Sequence, residues 1–491
     1  MNKSVIMHGH EARMGILKGM ESALEAAQMT YGPCGWTVAV DYHAPQIRST
    51  KCGARVLECF GLSDPCEDAG AHLLCHVALQ VKKHAGDGTT LASVLAHAIA
   101  AESYRQNVLA GNQTEVYRGI RIASQMAEEF IIKQSKPLTR PTELLAVARS
   151  AAGLDDALVD LFVKAFTCVQ DPSAVFLQPS QTSSCQVIDG LLLDAHSHVR
   201  FDHPCNSAVL VNPHIVIYPG VLETWDQINH DLKEAKASDT DVLIAAQRVC
   251  PTFRATIPAE LDSQRFHFVS LAMSRLPYAV EELQESFRAS SPHSSRRCVI
   301  TNDKVFLELP YTDQATKEVA ERVTRAALIS IGEIGDSASC ERMERAAQCA
   351  ASVRAALDQG YVPGGAAILV DAAGWLGSQT VDDATTTIGI EILRQALLVP
   401  ARTLIDSAGE LGAHEVQTML DQPSGGRTFD LRERRLCQAE EAGILDATAV
   451  VITALRVSSS VAGLIALTEV LVSQLDGGDR IRKSSQRHAQ H

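Results

Sequence analysis

Five consecutive residues, Gly86-Asp87-Gly88-Thr89-Thr90, combine the backbone freedom and side chains that phosphate chemistry needs. Two glycines let the chain turn tightly and approach a ligand closely. The first amides of a helix starting there, with two threonine hydroxyls, suit a phosphate. Asp87, between the glycines, can hold a divalent metal that shields phosphate charge. Taken alone, the pattern also fits an ordinary turn between helices, capped by Asp and Thr. It falls where one helical stretch, His76 to His84, stops and another, Leu91 to Ala101, begins.

The elements that must hold this turn can be read from apolar spacing. Met14, Leu17, Met20 and Leu24 recur at helical intervals and predict a helix over 11–30. Long helical patterns follow at about 65–85, 88–109 and 113–134. Lys136-Pro137 breaks them, and a shorter helix, Thr142 to Ala152, starts a new stretch. From Val187 the texture changes. Short apolar runs over 207–212, 215–218, 241–245 and 266–271 alternate with helical segments such as 222–237, an α/β pattern. After Gly332 long helices return, over 338–359, 384–407 and 446–474. A helical region, an α/β insertion and helices again imply a multi-domain α + α/β chain whose outer domain uses both ends.

Composition bounds the function classes. At 491 residues, two or three domains are expected. Hydrophobic content of 46% with only 5% aromatic fits a helix-heavy protein. The 44 basic and 58 acidic residues leave a net charge of −14, which argues against nucleic acid or an anionic membrane as main partner. No apolar run has the length of a membrane span, and the first residues lack a signal-peptide core. The 13 cysteines are scattered without a Cys-x-x-Cys pair and read as reduced thiols in a cytoplasm.

Gly-Asp-Gly-Thr-Thr with the following run Leu91 to Ile99 resembles the nucleotide loop of the group I, GroEL-like chaperonins. Four further stretches match in the same order. They are Thr30-Tyr31-Gly32-Pro33-Cys34-Gly35, Gly360-Tyr361-Val362-Pro363-Gly364-Gly365, Gly443-Ile444-Leu445-Asp446 and Ser460-Val461-Ala462-Gly463-Leu464. The resemblance implies a chaperonin-like fold: a helical equatorial domain from both chain ends (1–135 and 361–478), a small intermediate domain (136–188 and 332–360) and an inserted α/β apical domain (189–331). Pro137, Gly190, Gly332 and Gly360 fall near the expected hinges, where each also serves as a simple stop. Residues 479–491 form a polar tail that reads as disordered. The resemblance further implies that Thr30, Gly32, Pro33, Asp87, Gly88, Thr89 and Thr90 cradle the triphosphate of ATP and its Mg²⁺, with Asp87 as metal ligand. Gly364 and Gly365 would pass near the sugar, Asp446 would accept from ribose hydroxyls, and Asp430 stands where the family has an asparagine near the base. Leu431 and Arg432 replace small residues and would crowd that pocket, and Leu91 replaces a third threonine.

Hydrolysis needs a carboxylate to position water and anionic ligands to hold cations. Two family positions that supply such aspartates carry other residues here. The turn Thr50-Lys51-Cys52-Gly53 has Cys52, and the helix leading to Gly364-Gly365 has Gln348. Of the three acids only Asp87 survives, so nucleotide binding without efficient hydrolysis is expected. Glu344, one helical turn before Gln348, is the alternative acid. Cys52 reads either as a small semi-buried replacement or as a thiol activated by Lys51. In 222–237 the stripe Leu222, Trp225, Ile228 and Leu232 is needed to dock the segment on its own sheet. Glu223, Asp226, Gln227, His230, Lys233 and Glu234 are left outward, and the second apical helix candidate, Ile257 to Gln264, offers mainly Leu261. His196 and His198, with His203 and Cys205, form a weak metal pattern. Two functions follow: an ATP-binding chaperone assisting protein folding as a ring oligomer with hydrolysis weak or lost, or a non-folding nucleotide-binding scaffold or regulatory subunit. The implied partners are further copies of the chain or a paralogous chaperonin, unfolded or specific client proteins, and a co-chaperonin. A small-molecule enzyme with an acid/base pair finds no support in the residues.

Overall fold

The computed structural model describes residues 3–41, 47–110, 113–153, 155–197, 207–228, 241–250, 253, 266–271, 297–308, 323–332, 336–422 and 425–475. Contacts divide the chain into two compact units, Met1–Asp160 with Glu344–His491, and Leu161–Met343. The first unit therefore draws on both chain ends, and the second is an insertion, as the sequence pattern predicts.

The first unit is built on long helices: Gly9–Gln28, Pro65–Ala85, Thr89–Ala110, Gln113–Gln134, Ala384–Ser407 and Thr448–Ala466. Thr89–Ala110 is the central one. Its residues Ala92, Val94, Leu95, Ala96, Ala98 and Ile99 are buried on several sides at once, as expected of a helix apolar nearly all round. It packs against Gly9–Gln28, Pro65–Ala85, Ala384–Ser407 and Thr448–Ala466. Small side chains make this close assembly possible, and one continuous core joins all six helices. Thr448–Ala466 is long and apolar enough to cross a membrane, yet Val451, Leu455, Ala462 and Ile465 are buried in that same core. The predicted 446–474 helix is too long. It ends at Ala466, and Val470–Leu475 forms a strand antiparallel to Lys3–His8. A pattern of apolar residues alone does not separate a helix end from a following β-branched strand.

The second unit is organised by a nine-stranded mixed sheet. His214–Leu222, Val242–Val249 and Phe266–Leu271 run parallel, and the long strand Ser184–Ser197 pairs antiparallel with Phe266–Leu271, Lys304–Glu308 and Thr324–Gly332. Gly190 lies inside that strand, opposite Glu308 and Thr324, so it is no break in the chain. The predicted helix over 222–237 is corrected. Leu222 ends a strand, Trp225–Ile228 is a single 3-10 turn, and 229–237 lies outside the described residues. The apolar positions still do the docking predicted for them. Leu222 and Ile228 are buried, and Trp225 stacks on Phe253 at 4.4 Å with the edges of Phe266 and Phe268 beside it. Glu223, Asp226 and Gln227 face outward. Leu232, the 257–264 segment, His198, His203 and Cys205 lie outside the described residues.

One tight crossing in the first unit is between Gln113–Gln134 and Ala384–Ser407, where Gly119 and Gly389 lie back to back. A Cβ on Gly389 would sit 2.0 Å from the Gly119 carbonyl carbon, and one on Gly119 would sit 2.2 Å from the Thr385 oxygen. Gly389→Ala should therefore destabilise the protein by about 3 kcal/mol through overpacking. Gly374→Ala, whose Cβ would meet only Leu420 Cδ2 at 3.6 Å, should be neutral or stabilising by up to ~1 kcal/mol. Chemical denaturation midpoints of the two variants check this, and equal midpoints would contradict it.

Candidate functional site

Helix Pro65–Ala85 begins on a strong cap: the Asp64 carboxylate accepts the Cys66 and Glu67 amides at 2.8 and 3.0 Å. Lys82, Lys83 and His84 crowd its last turn, where positive charge complements the helix dipole. It ends at Gly86, φ +74°, whose N–H donates to the Lys82 carbonyl at 3.0 Å. Two residues on, Gly88 at φ +81° sends the chain into Thr89–Ala110. Such left-handed values disfavour any residue with a Cβ, and one on Gly88 would lie 2.6 Å from Val450 Cγ1. The Gly-Asp-Gly spelling is thus a steric requirement of the turn.

Between the glycines, Asp87 is held at both oxygens. Oδ1 accepts the Gly88 amide at 2.7 Å, and Oδ2 accepts the Ser352 hydroxyl at 2.6 Å, from helix Asp336–Gln359. Burial pushes its carboxyl above the ordinary range, and these two hydrogen bonds offset part of that rise.

Asp87 opens onto a cavity of about 480 Å³, a size typical of small-molecule sites. Of the residues predicted from sequence, Thr30, Gly32, Pro33, Asp87, Gly88, Thr89, Thr90, Gln348, Gly365, Asp430 and Asp446 line it. Gly364 and Cys52 do not. Gly364 lies behind the wall, donating its N–H to the Ile444 carbonyl at 2.9 Å. Thr30 Oγ1 donates to the Ala27 carbonyl at 2.7 Å and sits 3.2 Å from Thr90 Oγ1, so the two glycine-containing turns meet through their threonines.

Opposite them, strand Tyr361–Pro363 pairs with Leu445–Ala447, placing Val362 across from Asp446. Burial, then the nearby charge of Asp87, pushes the Asp446 carboxyl up to about 6, with the Gly365 amide partly offsetting this. Burial and then Asp446 raise the Tyr31 phenol. The far wall is the hairpin Arg427–Asp430 with Arg435–Gln438. Asp430 Oδ1 accepts the Arg432 and Glu433 amides at 2.8 and 3.2 Å, so that oxygen caps its own turn. Leu431 and Arg432 line the cavity there, as the sequence predicts, beside Ile405, Met419 and Phe429.

Several lining residues were not singled out as ligands by the sequence: Tyr31, Lys51, Arg149, Ser150, Arg345 and Ser352. Ser352 had a usable signal, since it lies four residues after Gln348 on the same helix face. Arg149 had none, because only the tertiary fold brings the Pro141–Ala152 helix to this wall.

The two altered acid positions behave differently. Gln348 lines the cavity with a neutral amide. Cys52 is 3% exposed at the start of the short helix Gly53–Glu58. Burial raises its thiol, with Lys82 only partly opposing and Glu344 adding to the rise, so the reading of Cys52 as an activated thiolate is overturned. Glu344 points away from the cavity lining. Its Oε2 accepts the Thr50 hydroxyl at 2.6 Å and its Oε1 lies 3.4 Å from Arg55 Nε. The arrangement offers amides, hydroxyls and cations to an anionic ligand, and Asp87 as the carboxylate at its phosphate-suited end.

A nucleotide fits these walls: a glycine turn at a helix start, hydroxyls, cations and an apolar far end. For a Mg²⁺ ion the carboxylates lining the cavity are Asp87, Asp430, Glu433 and Asp446, and no cluster of three or more metal-ligating side chains exists among the described residues. One carboxylate suffices for Mg²⁺ where phosphates supply further ligands.

The raised Asp446 carboxyl sets a pH dependence. A group bound more tightly to its proton in the fold stabilises the fold fully below its unfolded pKa, and that stability is lost as pH rises through the folded value. From about pH 4 to pH 6 the ligand-free protein should therefore lose about 2–3 kcal/mol. Asp446→Asn should remove this loss, as read from unfolding free energies across that range.

Two comparisons place this geometry among known proteins. A sequence profile of the TCP-1/cpn60 chaperonin family matches residues 24–249 and 292–474, most of the chain. A crystal structure of a group III chaperonin in the open state superposes with a TM-score of 0.60 at 17% identity, covering 94% of this chain and 98% of that one. The fold is thus the chaperonin fold, and the chain belongs to the TCP-1/cpn60 chaperonin family.

Proposed function

We propose that this chaperonin-type chaperone binds ATP in the cavity beside Asp87 and hydrolyses it weakly or not at all. In this reading Thr30, Gly32, Pro33, Gly88, Thr89 and Thr90 hold the phosphates, Asp87 carries one protein contact to Mg²⁺, and Asp446 with Gly365 meets the sugar. The observation that carries it is the contrast between an intact phosphate-suited turn and two neutral side chains, Cys52 and Gln348, where water activation would need carboxylates. Residues 136–188 and 332–360 would be the intermediate domain and 189–331 the apical domain. None of the twelve described cysteines is in a disulfide, which agrees with a cytoplasmic setting.

Ring assembly is part of the proposal. Strands Lys3–His8 and Val470–Leu475 form a two-stranded sheet whose Ile6 and Val472, directly opposite each other, are 56% and 62% exposed. The strand pair Val38–Asp41 with Ile47–Thr50 carries Ile47, 69% exposed, and Trp36, 67% exposed, lies just before it. Exposed apolar strand faces of this kind suit contacts between subunits.

A second reading, a non-folding scaffold or a regulatory subunit acting on another chaperonin or on specific partners, is favoured by the outward Glu223, Asp226 and Gln227 beside the buried Leu222 and Ile228. Among the described residues 222–228, no exposed apolar stripe is left for unfolded chains.

Steady-state ATP turnover with Mg²⁺ should lie near the no-enzyme blank while calorimetry detects ATP binding that Asp87→Ala weakens at least about tenfold. Brisk turnover lost in Asp87→Ala would refute the weak-hydrolysis reading, and binding without suppression of client aggregation would favour the scaffold. Ile6→Asp with Val472→Asp should shift the protein from a high-mass assembly toward monomer in light scattering, whereas an unchanged mass would exclude this sheet as a ring contact.

A further inference from the structure

The hairpin Arg427–Asp430 with Arg435–Gln438 turns through four residues, Leu431 to Arg434. The first three, Leu431, Arg432 and Glu433, line the far wall of the cavity. The fourth, Arg434, stands outside that lining with φ +52°. A Cβ makes this left-handed conformation costly, and glycine is the residue that relieves it. A side-chain-bearing residue persists there only where its surroundings over-determine it.

The arginine side chain supplies that constraint. Its Nη2 donates to the Ala408 carbonyl at 2.9 Å and lies 2.9 Å from Glu410 Oε1. Ala408 directly follows helix Ala384–Ser407, where a cation also complements the helix dipole. The guanidinium passes over Gly409, at φ +80°, where a Cβ would stand 3.6 Å from Nη2. This helix end reaches the cavity through Leu404 and Ile405. The Ile405 carbonyl in turn accepts the Ala408 and Glu410 amides at 3.1 and 3.3 Å. Arg434 therefore joins, from outside the lining, two segments that both border the cavity. The entry to the loop is fixed separately, because Asp430 Oδ1 accepts the Arg432 and Glu433 amides. The loop is thus held at both ends.

Fold stability alone does not account for this arrangement. The Arg434 and Glu410 side chains are 57% and 38% exposed, and ion pairs at such exposure contribute little. Glycine at 434 would accommodate the backbone better. What the arginine adds is a fixed spacing between the loop and the helix end, and hence a fixed width for the apolar end of the cavity. A wall in place before the ligand arrives needs no ordering on binding. Resting on the nucleotide reading above, we propose that Arg434 is a positioning residue for the nucleotide base. By stapling the 431–434 loop to the helix end at 408–410, it holds the two walls between which the base packs.

The test is calorimetric titration of ATP and of inorganic tripolyphosphate into the full chain, both with Mg²⁺. Tripolyphosphate offers the phosphates without sugar or base. Arg434→Gly removes the staple while relieving the left-handed backbone, so its denaturation midpoint should not fall below that of the wild type. ATP should bind this variant about tenfold more weakly, with tripolyphosphate affinity unchanged within about twofold. Glu410→Ala leaves the Ala408 carbonyl as an acceptor and should weaken ATP binding by only about threefold. Arg434→Lys should keep most of the wild-type affinity, because both contacts use one nitrogen and an ammonium can make them. Unchanged ATP affinity in Arg434→Gly, or an equal fall for both ligands, would overturn this inference and leave the nucleotide site standing. A wild-type chain that binds neither ATP nor tripolyphosphate would overturn both.

Discussion

Both oxygens of Asp87 are engaged, one by the Gly88 amide and the other by the Ser352 hydroxyl, and the site depends on that pair of bonds. The first is local and follows from a left-handed turn that only glycine accommodates comfortably. The second spans more than half the chain and ties the turn to the helix that also presents Gln348 and Arg345. A short polar side chain can reach a carboxylate only if the backbones are already close. Gly86 makes this approach possible, since a Cβ there would stand 2.4 Å from Ala351 Cβ on the same helix.

Close approach is the recurrent device of the first unit. Ala, Gly and Ser fill the faces of its helices, and back-to-back glycines at 119 and 389 let two of them touch backbone to backbone. Dense packing of this kind transmits small displacements instead of absorbing them. The cavity walls come from the ends of these packed elements: the turns at 30–33 and 86–90, the strand pair at 361–363 and 445–447, and the hairpin at 427–438. A ligand bridging those walls would act on elements far apart in the chain, which is how a nucleotide could bias a chaperonin conformation.

Under the proposed function, the electrostatics of the cavity suit binding more than bond cleavage. Carboxylates at Asp87 and Asp446 are destabilised by burial, Asp446 also by the nearby charge of Asp87, and Glu344 is spent on Thr50 and Arg55. Cations line the cavity, while the thiol of Cys52 is shut away from it. A site with these charges can hold a polyanion firmly and still lack a base aimed at water.

Much of this was legible in the chain itself. The glycine turns, the helix boundaries around 65–134 and the nested order of helical, α/β and helical segments follow from local sterics and periodicity, which act over a few residues and are written in order. So do the losses at Cys52 and Gln348, because residue type alone decides whether a side chain can be a carboxylate. Two expectations failed for a common reason. Leu222 to Ile228 and Val470 to Leu475 carry apolar spacings compatible with helix, yet their partners, strands Val242–Val249 and Lys3–His8, made them strand or turn. Pairing between distant segments overrides weak local preference. For the same reason only the tertiary structure could show that Arg149, Arg345 and Ser352 share a wall with Asp87, and that Glu344 turns toward Thr50. Sequence determined which chemical groups this protein has and which turns it can make, because those are properties of single residues and short spans. Which groups face one another was decided by packing, because contact between residues hundreds of positions apart exists only once the core has closed.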